Sequence, residues 1–201
     1  MVLFAATTSI LKLRYIQYHG TLGFEEGSLL ETLSVALAGI GRSNLCLRTP
    51  LVICGAGPIG LVTLLEARAA GAAPIVITDL DENSLAKASS LVSRVLTVLV
   101  ERGVDAGNLG KRIVDTLGQE ARLALKCTGV ESSIHSVIHA SAFGGSVFVI
   151  GVVKDFQNIP FMHLSSKEID LRFHYRYHDT YHKAISLVAE GLIDLKPLVT
   201  H

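Results

Sequence analysis

The 201-residue sequence lacks several features that direct a chain to particular partners. Its 18 Lys and Arg balance 18 Asp and Glu, so electrostatics give no reason to expect a nucleic-acid or anionic-membrane partner. Its three cysteines are scattered and form no C-x-x-C pair, which argues against a structural zinc knot. Two of them, Cys54 and Cys127, end predicted buried strands, where we expect reduced thiols.

Membrane and secretion signals are also missing. The apolar start, MVLFAATTSIL, has no basic residue before it and is interrupted by Lys12 and Arg14. It is too short to span a bilayer and is a poor secretion signal. We therefore expect a cytoplasmic protein with no membrane partner.

Two common catalytic signatures do not occur. There is no G-x-S-x-G nucleophile elbow and no Tyr-x-x-x-Lys pair of the short-chain dehydrogenase type. Histidines at helical i, i+4 spacing do occur, as His135 with His139 and as His178 with His182. Such pairs bind zinc when a third ligand is near, but none is evident, so we interpret them as surface histidines.

What is present is a strand, a glycine turn, a helix, a second strand and an acid, in that order. Apolar residues Leu51 to Cys54 lead into Gly55-Ala56-Gly57-Pro58-Ile59-Gly60, which fits G-x-G-x-x-G. A helix-forming run, Leu61 to Ala70, follows, and the apolar run Ile75 to Thr78 then ends in Asp79. This order within one βαβ length predicts a dinucleotide site.

Each part of this pattern has a physical purpose. Gly55 permits a tight turn, Gly57 permits close approach to a pyrophosphate, and Gly60 permits close packing of helix on strand. The helix N-terminus favours phosphate charge. Asp79, nineteen residues after Gly60, accepts hydrogen bonds from an adenosine ribose and repels a 2′-phosphate, so NAD is favoured over NADP.

Alternating strands and helices continue through the chain, which predicts an α/β fold: a Rossmann-type doubly wound parallel sheet of about six strands. We assign 1–23 as a poorly defined N-terminal segment, 24–48 as a linking helix and 49–201 as the nucleotide-binding domain. The later elements are predicted as a helix over 81–90, a strand over 95–100, a helix from 105 or 108 to 116, a strand over 123–127, a helix over 131–143, a strand over 147–150, a short edge strand over 158–162, a strand over 169–175 and a helix over 181–190.

Several stretches of the sequence form a recognisable set: GAGPIGLVTLL, GAAPIVITDLDENSLAKA, KCTGVESSI, FGGSVFVIGV, EIDLRFHYRY and IDLKPLVTH, preceded by the helix FEEGSLLETLSVALAG. Together they resemble the zinc-dependent medium-chain polyol dehydrogenases. Within the family, the sequence resembles the sorbitol/xylitol dehydrogenases and especially the fungal L-arabinitol 4-dehydrogenases. The resemblance runs from Phe24 to His201 and implies hydride transfer from a sugar alcohol to NAD.

The resemblance also implies roles for individual residues. It assigns Glu31, Arg176 and Tyr177 to the catalytic side, although a solvated helix carboxylate is the plain interpretation of Glu31. Cofactor contacts are implied, beside the glycine loop and Asp79, for Thr128, Gly129, Ile150, Gly151, Val152, Tyr175, Arg176 and Tyr177.

The departures from the family limit what the chain is expected to do. The family holds its catalytic zinc through a Cys and a Gly-His-Glu motif in a separate N-terminal domain, and we find no such domain and no Gly-His-Glu motif in this sequence. Other differences are Thr32 in place of Pro, Ser84 in place of an Arg that supports the ribose, and Lys126 in place of Glu. Without a Lewis acid the alcohol is a poor hydride donor. Arg176 could stabilise an alkoxide by donating a hydrogen bond, but less effectively than zinc does.

We therefore interpret the chain as the NAD-binding domain of a polyol oxidoreductase, truncated and weakly active or inactive alone. One alternative is a non-catalytic NAD-binding or dimerising module, in which the edge strand over 158–162 pairs with another subunit. A second alternative is an S-adenosylmethionine-dependent methyltransferase, which also uses a glycine turn and an acid. The third glycine and Pro58 favour the dinucleotide.

Overall fold

The computed structural model describes residues 22–151 and 154–199. Six parallel strands form one sheet in the order β3-β2-β1-β4-β5-β6, which is the doubly wound Rossmann order. The predicted fold class is thus confirmed. The sheet reverses direction of winding between β1 and β4, and this switch point is where such folds bind ligands.

Helices and strands alternate along the chain. In order they are α1 (Phe24–Arg42), β1 (Leu51–Cys54), α2 (Pro58–Ala69), β2 (Ile75–Asp79), α3 (Glu82–Leu91), β3 (Leu96–Leu99), α4 (Ala106–Leu117), β4 (Ala121–Lys126), α5 (Glu131–Ala140), β5 (Ser141–Val149), α6 (Phe161–Ser166), β6 (Asp170–Phe173) and α7 (Tyr181–Ala189), followed by a 3-10 turn (Lys196–Leu198).

The core lies on both faces of the sheet because successive strand side chains point to opposite sides. In β1, Leu51 and Ile53 pack with α1, α2 and α3, whereas Val52 and Cys54 pack with α4, α5 and α6. A third cluster joins α1 and α2 to α7. Burial on both faces explains why the strands are nearly continuous apolar runs.

Local residue chemistry accounts for several element ends. Asp81 caps α3 by accepting hydrogen bonds from the backbone of Asn83 and Ser84, and Asp105 caps α4 by accepting one from Asn108. Gly118 ends α4 in the left-handed conformation, at φ 78°, which glycine adopts without strain. The helices predicted over 81–90 and from 105 or 108 to 116 thus correspond to α3 and α4.

One predicted boundary and one predicted element are wrong. The helix predicted over 131–143 is present but ends at Ala140, because β5 begins at Ser141 and pairs there with Ala121 of β4. The edge strand over 158–162 is absent: Pro160 instead precedes the short helix α6. Pro suits that place because a helix start needs no N–H donor from it. In the part of the chain that the structure describes, the edge strands are β3 and β6.

The predicted N-terminal segment, 1–23, lies almost wholly outside the described residues, so its assignment stays a prediction. The predicted linking helix is present as α1, and it packs against α2 and α7. Among the described residues, no helix has the length and apolar character needed to cross a membrane.

Candidate functional site

A cleft of about 330 Å³ opens at the carboxyl ends of β1 to β4. Its walls are mainly apolar, and its polar lining consists of hydroxyl groups, two carboxylates and one arginine. The lining residues are Cys54, Gly55, Thr78, Asp79, Leu80, Val100, Glu101, Arg102, Gly103, Val104, Leu109, Thr128, Val130, Ser132, Ser133 and Ser136. A concave apolar site with a few convergent polar groups is the usual form of a small-molecule site.

Glycine is sterically required at two places in the loop after β1. Gly55 has φ +97°, and a Cβ there would lie 2.7 Å from Thr128 Cγ2. A Cβ at Gly60 would lie 1.8 Å from the Gly55 carbonyl oxygen. Both values are far below normal contact, so this loop and α2 pack closely only because side chains are missing.

Gly57 is different, because no described protein atom lies within 4 Å of the place where its Cβ would be. It is exposed, and its backbone at the start of α2 faces open space beside the cleft. A Cβ would therefore occupy space available to a ligand rather than to the protein. This is the geometry in which backbone amides approach a pyrophosphate.

The N-terminus of α2 supplies the donors for such a group. Pro58 is the first helical residue and has no N–H, and the first intrahelical bond runs from Leu61 N to the Gly57 carbonyl at 2.9 Å. The N–H groups of Ile59 and Gly60 therefore have no acceptor within the helix. Together with the helix dipole they favour an anion at this end.

Asp79 links the glycine loop to the end of β2. One carboxylate oxygen accepts a hydrogen bond from Ala56 N at 2.6 Å, and the other accepts one from Asp81 N at 3.0 Å. A carboxylate has about four acceptor positions, so these two bonds fix its orientation and leave capacity for further donors. The half-buried carboxylate thus faces the cleft as an oriented acceptor.

The end of β4 forms the opposite wall. Thr128 Oγ1 lies 2.6 Å from Ser133 Oγ and accepts from Val130 N at 3.3 Å, which orients its methyl group toward Gly55. A Cβ at Gly151 would lie 2.1 Å from the Thr128 carbonyl oxygen. The ends of β4 and β5 therefore approach each other through this glycine.

The rim beyond β3 is held by an arginine of α4. Arg112 donates to the Leu99 carbonyl at 3.1 Å and to Glu101 at 3.2 Å. The ion pair is exposed and worth little by itself, but the bond to the backbone fixes the loop over 100–104. That loop supplies Val100 and Val104 to the cleft wall.

The predicted residues divide into two groups. Gly55, Asp79 and Thr128 line the cleft, and Gly129 is exposed just beside it. The rest of the glycine loop, 56–60, follows Gly55 in sequence but does not contribute to the lining. Ile150 is buried and Gly151 half-buried at the end of β5, on the side away from β3. Val152 lies outside the described residues.

The residues predicted for catalysis are not in this cleft. Glu31 is exposed on α1, and its carboxylate makes no hydrogen bond or ion pair with any residue that the structure describes. Arg176 is exposed, at φ 57°, with its guanidinium 5.4 Å from the centre of the Tyr175 ring. Tyr177 is half-buried with its ring 6.2 Å from that of Tyr181. Their assignment to a site stays a prediction.

Three ionisable groups lie at the sheet centre beneath the cleft. Burial raises the pKa of the Cys54 thiol to about 11 and that of Cys127 to about 12. Both are free thiols, as predicted. The Lys126 side chain is completely buried, its Nζ has no hydrogen-bond partner among the described residues, and burial lowers its pKa.

Sequence reasoning missed one wall of the cleft. It used the carboxyl ends of β1, β2, β4 and β5 but left out the end of β3, where Val100 and Val104 contribute. The same strand-end rule would have found them. Ser133 and Ser136 come from the first turns of α5, and nothing in their local sequence signals that position.

Metal ligands are a separate question. Within residues 22–151 and 154–199, no group of three or more His, Cys, Asp or Glu side chains is arranged to hold a metal ion. The paired histidines do not converge with a third donor there. The described donor set thus does not fit a zinc site, and we derive no step through zinc.

Comparison with known proteins gives a consistent result. Residues 58–190 match the family described as zinc-binding dehydrogenase. The chain is 54% identical over 191 residues to an L-arabinitol 4-dehydrogenase of Penicillium rubens, covering 90% of this chain and 50% of that protein. It is 37% identical over 178 residues to sorbitol dehydrogenase of Ovis aries, covering 89% and 50%.

Among solved structures, 2R,3R-butanediol dehydrogenase from Bacillus subtilis is similar with a TM-score of 0.75 and 25% identity, covering 89% of this chain and 50% of that one. The chain spans about half the length of the curated relatives it matches.

Proposed function

This chain belongs to the zinc-binding dehydrogenase family, and from that membership we propose that it binds NAD as the nucleotide-binding part of a polyol oxidoreductase. One observation carries the proposal: at the switch point, the Asp79 carboxylate accepts a hydrogen bond of 2.6 Å from Ala56 N of the glycine loop. This proposal includes a cytoplasmic location and a sugar alcohol, such as L-arabinitol, xylitol or sorbitol, as the substrate of the complete reaction.

In this proposal each part of the cleft has one task. The amides of Ile59 and Gly60 and the α2 N-terminus hold the pyrophosphate, and Gly57 leaves room for it. Asp79 accepts hydrogen bonds from the adenosine ribose hydroxyls. The adenine lies between the apolar walls, which include Val104 and Leu109.

The nicotinamide is assigned to the side of β5, near Ile150 and Gly151, with Tyr175 and Arg176 beyond them. When bound there, NAD would supply the hydride acceptor for oxidation of a secondary alcohol to a ketone, with the hydroxyl proton passing to solvent, and these residues would hold its nicotinamide end. In the family's chemistry zinc lowers the alcohol's pKa. Because the described residues do not fit a zinc site, we propose NAD binding with little or no polyol oxidation by this chain alone.

Calorimetric titration with NAD tests the proposal. We expect saturable binding to the folded chain, and weaker binding of NADP because the Asp79 carboxylate repels a 2′-phosphate. Absence of saturable NAD binding while circular dichroism shows folded protein would refute it. A thermal-shift comparison of NAD with S-adenosylmethionine tests the methyltransferase alternative. That alternative requires that S-adenosylmethionine, and not NAD, raise the melting temperature of the protein.

A dimerising module is the second candidate, and the edge strand β6 favours it. Antiparallel pairing of two β6 strands centred on Leu171 places Asp170 of each copy opposite Arg172 of the other. Opposite charges directly across a strand pair are stabilising. Apolar side chains flank the same edge: Phe173 is 61% and Phe161 67% exposed.

Sedimentation of charge variants tests this second candidate. Asp170→Arg places like charges opposite each other and should give a monomer, and the double variant D170R/R172D should restore the dimer. A wild-type protein that sediments as a monomer at high concentration would refute it, as would a dimer unaffected by D170R.

A further inference from the structure

One face of α5 carries three polar side chains that hold a neighbouring segment, residues 158–163, here called the strap. Glu131, His135 and His139 are spaced four residues apart and so lie on one face of the helix. Glu131 accepts a hydrogen bond from Asn158 N at 3.3 Å, and His135 Nε2 contacts the Asn158 carbonyl. The third, His139, lies against His163 with ring centres 4.5 Å apart and planes at 59°.

The two ends of the strap region are held by different chemistry. Beyond α6, Lys167 donates to Glu120 at 2.6 Å and to the Ser141 carbonyl at 2.9 Å. Leu164 packs into the core beneath α5. The His139–His163 contact therefore lies between a hydrogen-bonded start and an ion-paired end, and it brings two imidazole rings together.

The histidine contact does not accommodate a proton well. His163 Nε2 is buried and has no hydrogen-bond partner in the part of the chain described, so a proton there would have no acceptor. The groups that face His163 are His139 from α5, Lys167 after α6 and Glu120 before β4, and only the last is acidic. Burial, His139 and Lys167 lower the pKa of His163, against a smaller opposing effect of Glu120.

His135 behaves differently. Its Nε2 faces a backbone carbonyl, which accepts a hydrogen bond from either the neutral or the protonated ring. The contact of His163 with His139 differs, because the buried Nε2 of His163 has no such acceptor among the described residues.

We propose that the His139–His163 contact is a pH-sensitive clasp that holds the strap on α5 near neutral pH and releases it on acidification. The sign follows from proton linkage. The released ring has the ordinary pKa of 6.5, so it binds a proton more readily than the clasped ring does. The clasped state therefore loses stability as pH falls below about 6.5.

The clasp does not depend on the proposed NAD site, but its release can affect NAD binding because of where the strap lies. The strap follows Ile150 and Gly151 closely in sequence, on the side assigned to the nicotinamide. If that assignment holds, release of the strap loosens the nicotinamide side, and NAD affinity declines on acidification. This consequence rests on the proposed function, whereas the clasp itself does not.

Hydrogen exchange of the strap amides as a function of pH tests the clasp without any ligand. After correction for the intrinsic pH dependence of exchange, we expect strap exchange to rise at most about tenfold per pH unit between about pH 7 and pH 5, because one proton is linked to opening. Amides of β1 and β4, in the sheet centre, should keep their protection over the same range.

Two variants separate the clasp from general acid destabilisation. His163→Phe keeps a ring against His139 but cannot be protonated, so its strap exchange should no longer depend on pH. His182→Gln removes an exposed histidine of α7 and should leave the wild-type pH dependence unchanged. Unchanged strap protection in the wild type down to pH 5 would overturn the proposal, as would an H163F strap that opens with the same pH profile.

Discussion

Replacing Glu66 should stabilise the protein, and increasingly so as the pH rises. This residue of α2 is 5% exposed, and its Oε2 has no hydrogen-bond partner among the described residues. Burial raises the pKa of Glu66 from 4.5 to about 8, with Lys183 opposing the rise. The folded protein therefore carries a neutral carboxyl at pH 7 where the unfolded chain carries a charged one.

The magnitude follows from the two pKa values. At about 1.36 kcal/mol per pKa unit, the interval from 4.5 to about 8 corresponds to roughly 4 to 5 kcal/mol. Partial relaxation of the site reduces this, so we expect about 2–4 kcal/mol. Because the folded state holds the proton more tightly, stability is lost as pH rises from about 4.5 to about 8 and then levels off.

Urea unfolding of Glu66→Met at several pH values measures the effect. Met has a similar volume and cannot ionise, so its advantage over the wild type should grow by about 2–4 kcal/mol between pH 5 and pH 8.5. The control is Asp115→Asn, which removes an exposed carboxylate of α4 and should show no such growth. Parallel pH profiles for E66M and the wild type would refute the reasoning.

Three further predictions concern the glycine loop and the sheet centre. Gly60→Ala should destabilise the fold by about 1–3 kcal/mol or more, because its Cβ would lie 1.8 Å from the Gly55 carbonyl oxygen. Gly57→Ala should unfold in urea like the wild type but bind NAD more weakly. Equal urea midpoints for G60A and G57A would contradict the expected difference in stability between these two variants. Lys126→Met should raise the free energy of unfolding by about 1–3 kcal/mol at pH 7, since it removes a buried amine without a partner. Because the pKa of Lys126 is lowered from 10.5, the wild type gains stability as pH rises toward that value. The difference in unfolding free energy between K126M and the wild type should therefore narrow. A difference that stays constant with pH would show that the buried amine is not its cause.

The part of the fold that could be predicted from sequence is the part with strong local chemistry. The β1–α2–β2 unit is marked by Gly55, Gly60 and Asp79, and its strands begin where the apolar runs begin. Gly118 and Asp105 mark the ends of α4 in the same way. At these places the residue type required by backbone geometry is visible in the sequence.

Elements decided by tertiary pairing were harder to predict. The residues from Ser141 to Phe143 suit a helix, yet they lie in β5 because Ser141 pairs with Ala121. Pro160 is compatible both with an edge strand and with a helix start. In the structure it starts a helix, and Leu164 of that helix packs into the core. Only the neighbouring elements distinguish these possibilities.

The candidate site was predictable to a similar extent. The residues proposed to bind the pyrophosphate and the ribose follow from the motif, whereas the wall at the end of β3 and the serines of α5 require the sheet order. From sequence, a lysine such as Lys126 is expected to be exposed. Only the structure shows that its side chain is completely buried. The role of Glu31, exposed on α1, stays a prediction.

The most direct test of the account is NAD titration of the wild type beside Asp79→Ala and Asp79→Asn. Loss of charge-assisted bonds to the ribose should cost about 1.5–3 kcal/mol, which is roughly a ten- to hundredfold rise in Kd, with a smaller rise for the Asn variant because it keeps one acceptor oxygen. Unfolding curves show whether the Ala56 contact, 2.6 Å in the wild type, matters for folding. Equal NAD affinity of the folded wild type and D79A would contradict the central claim.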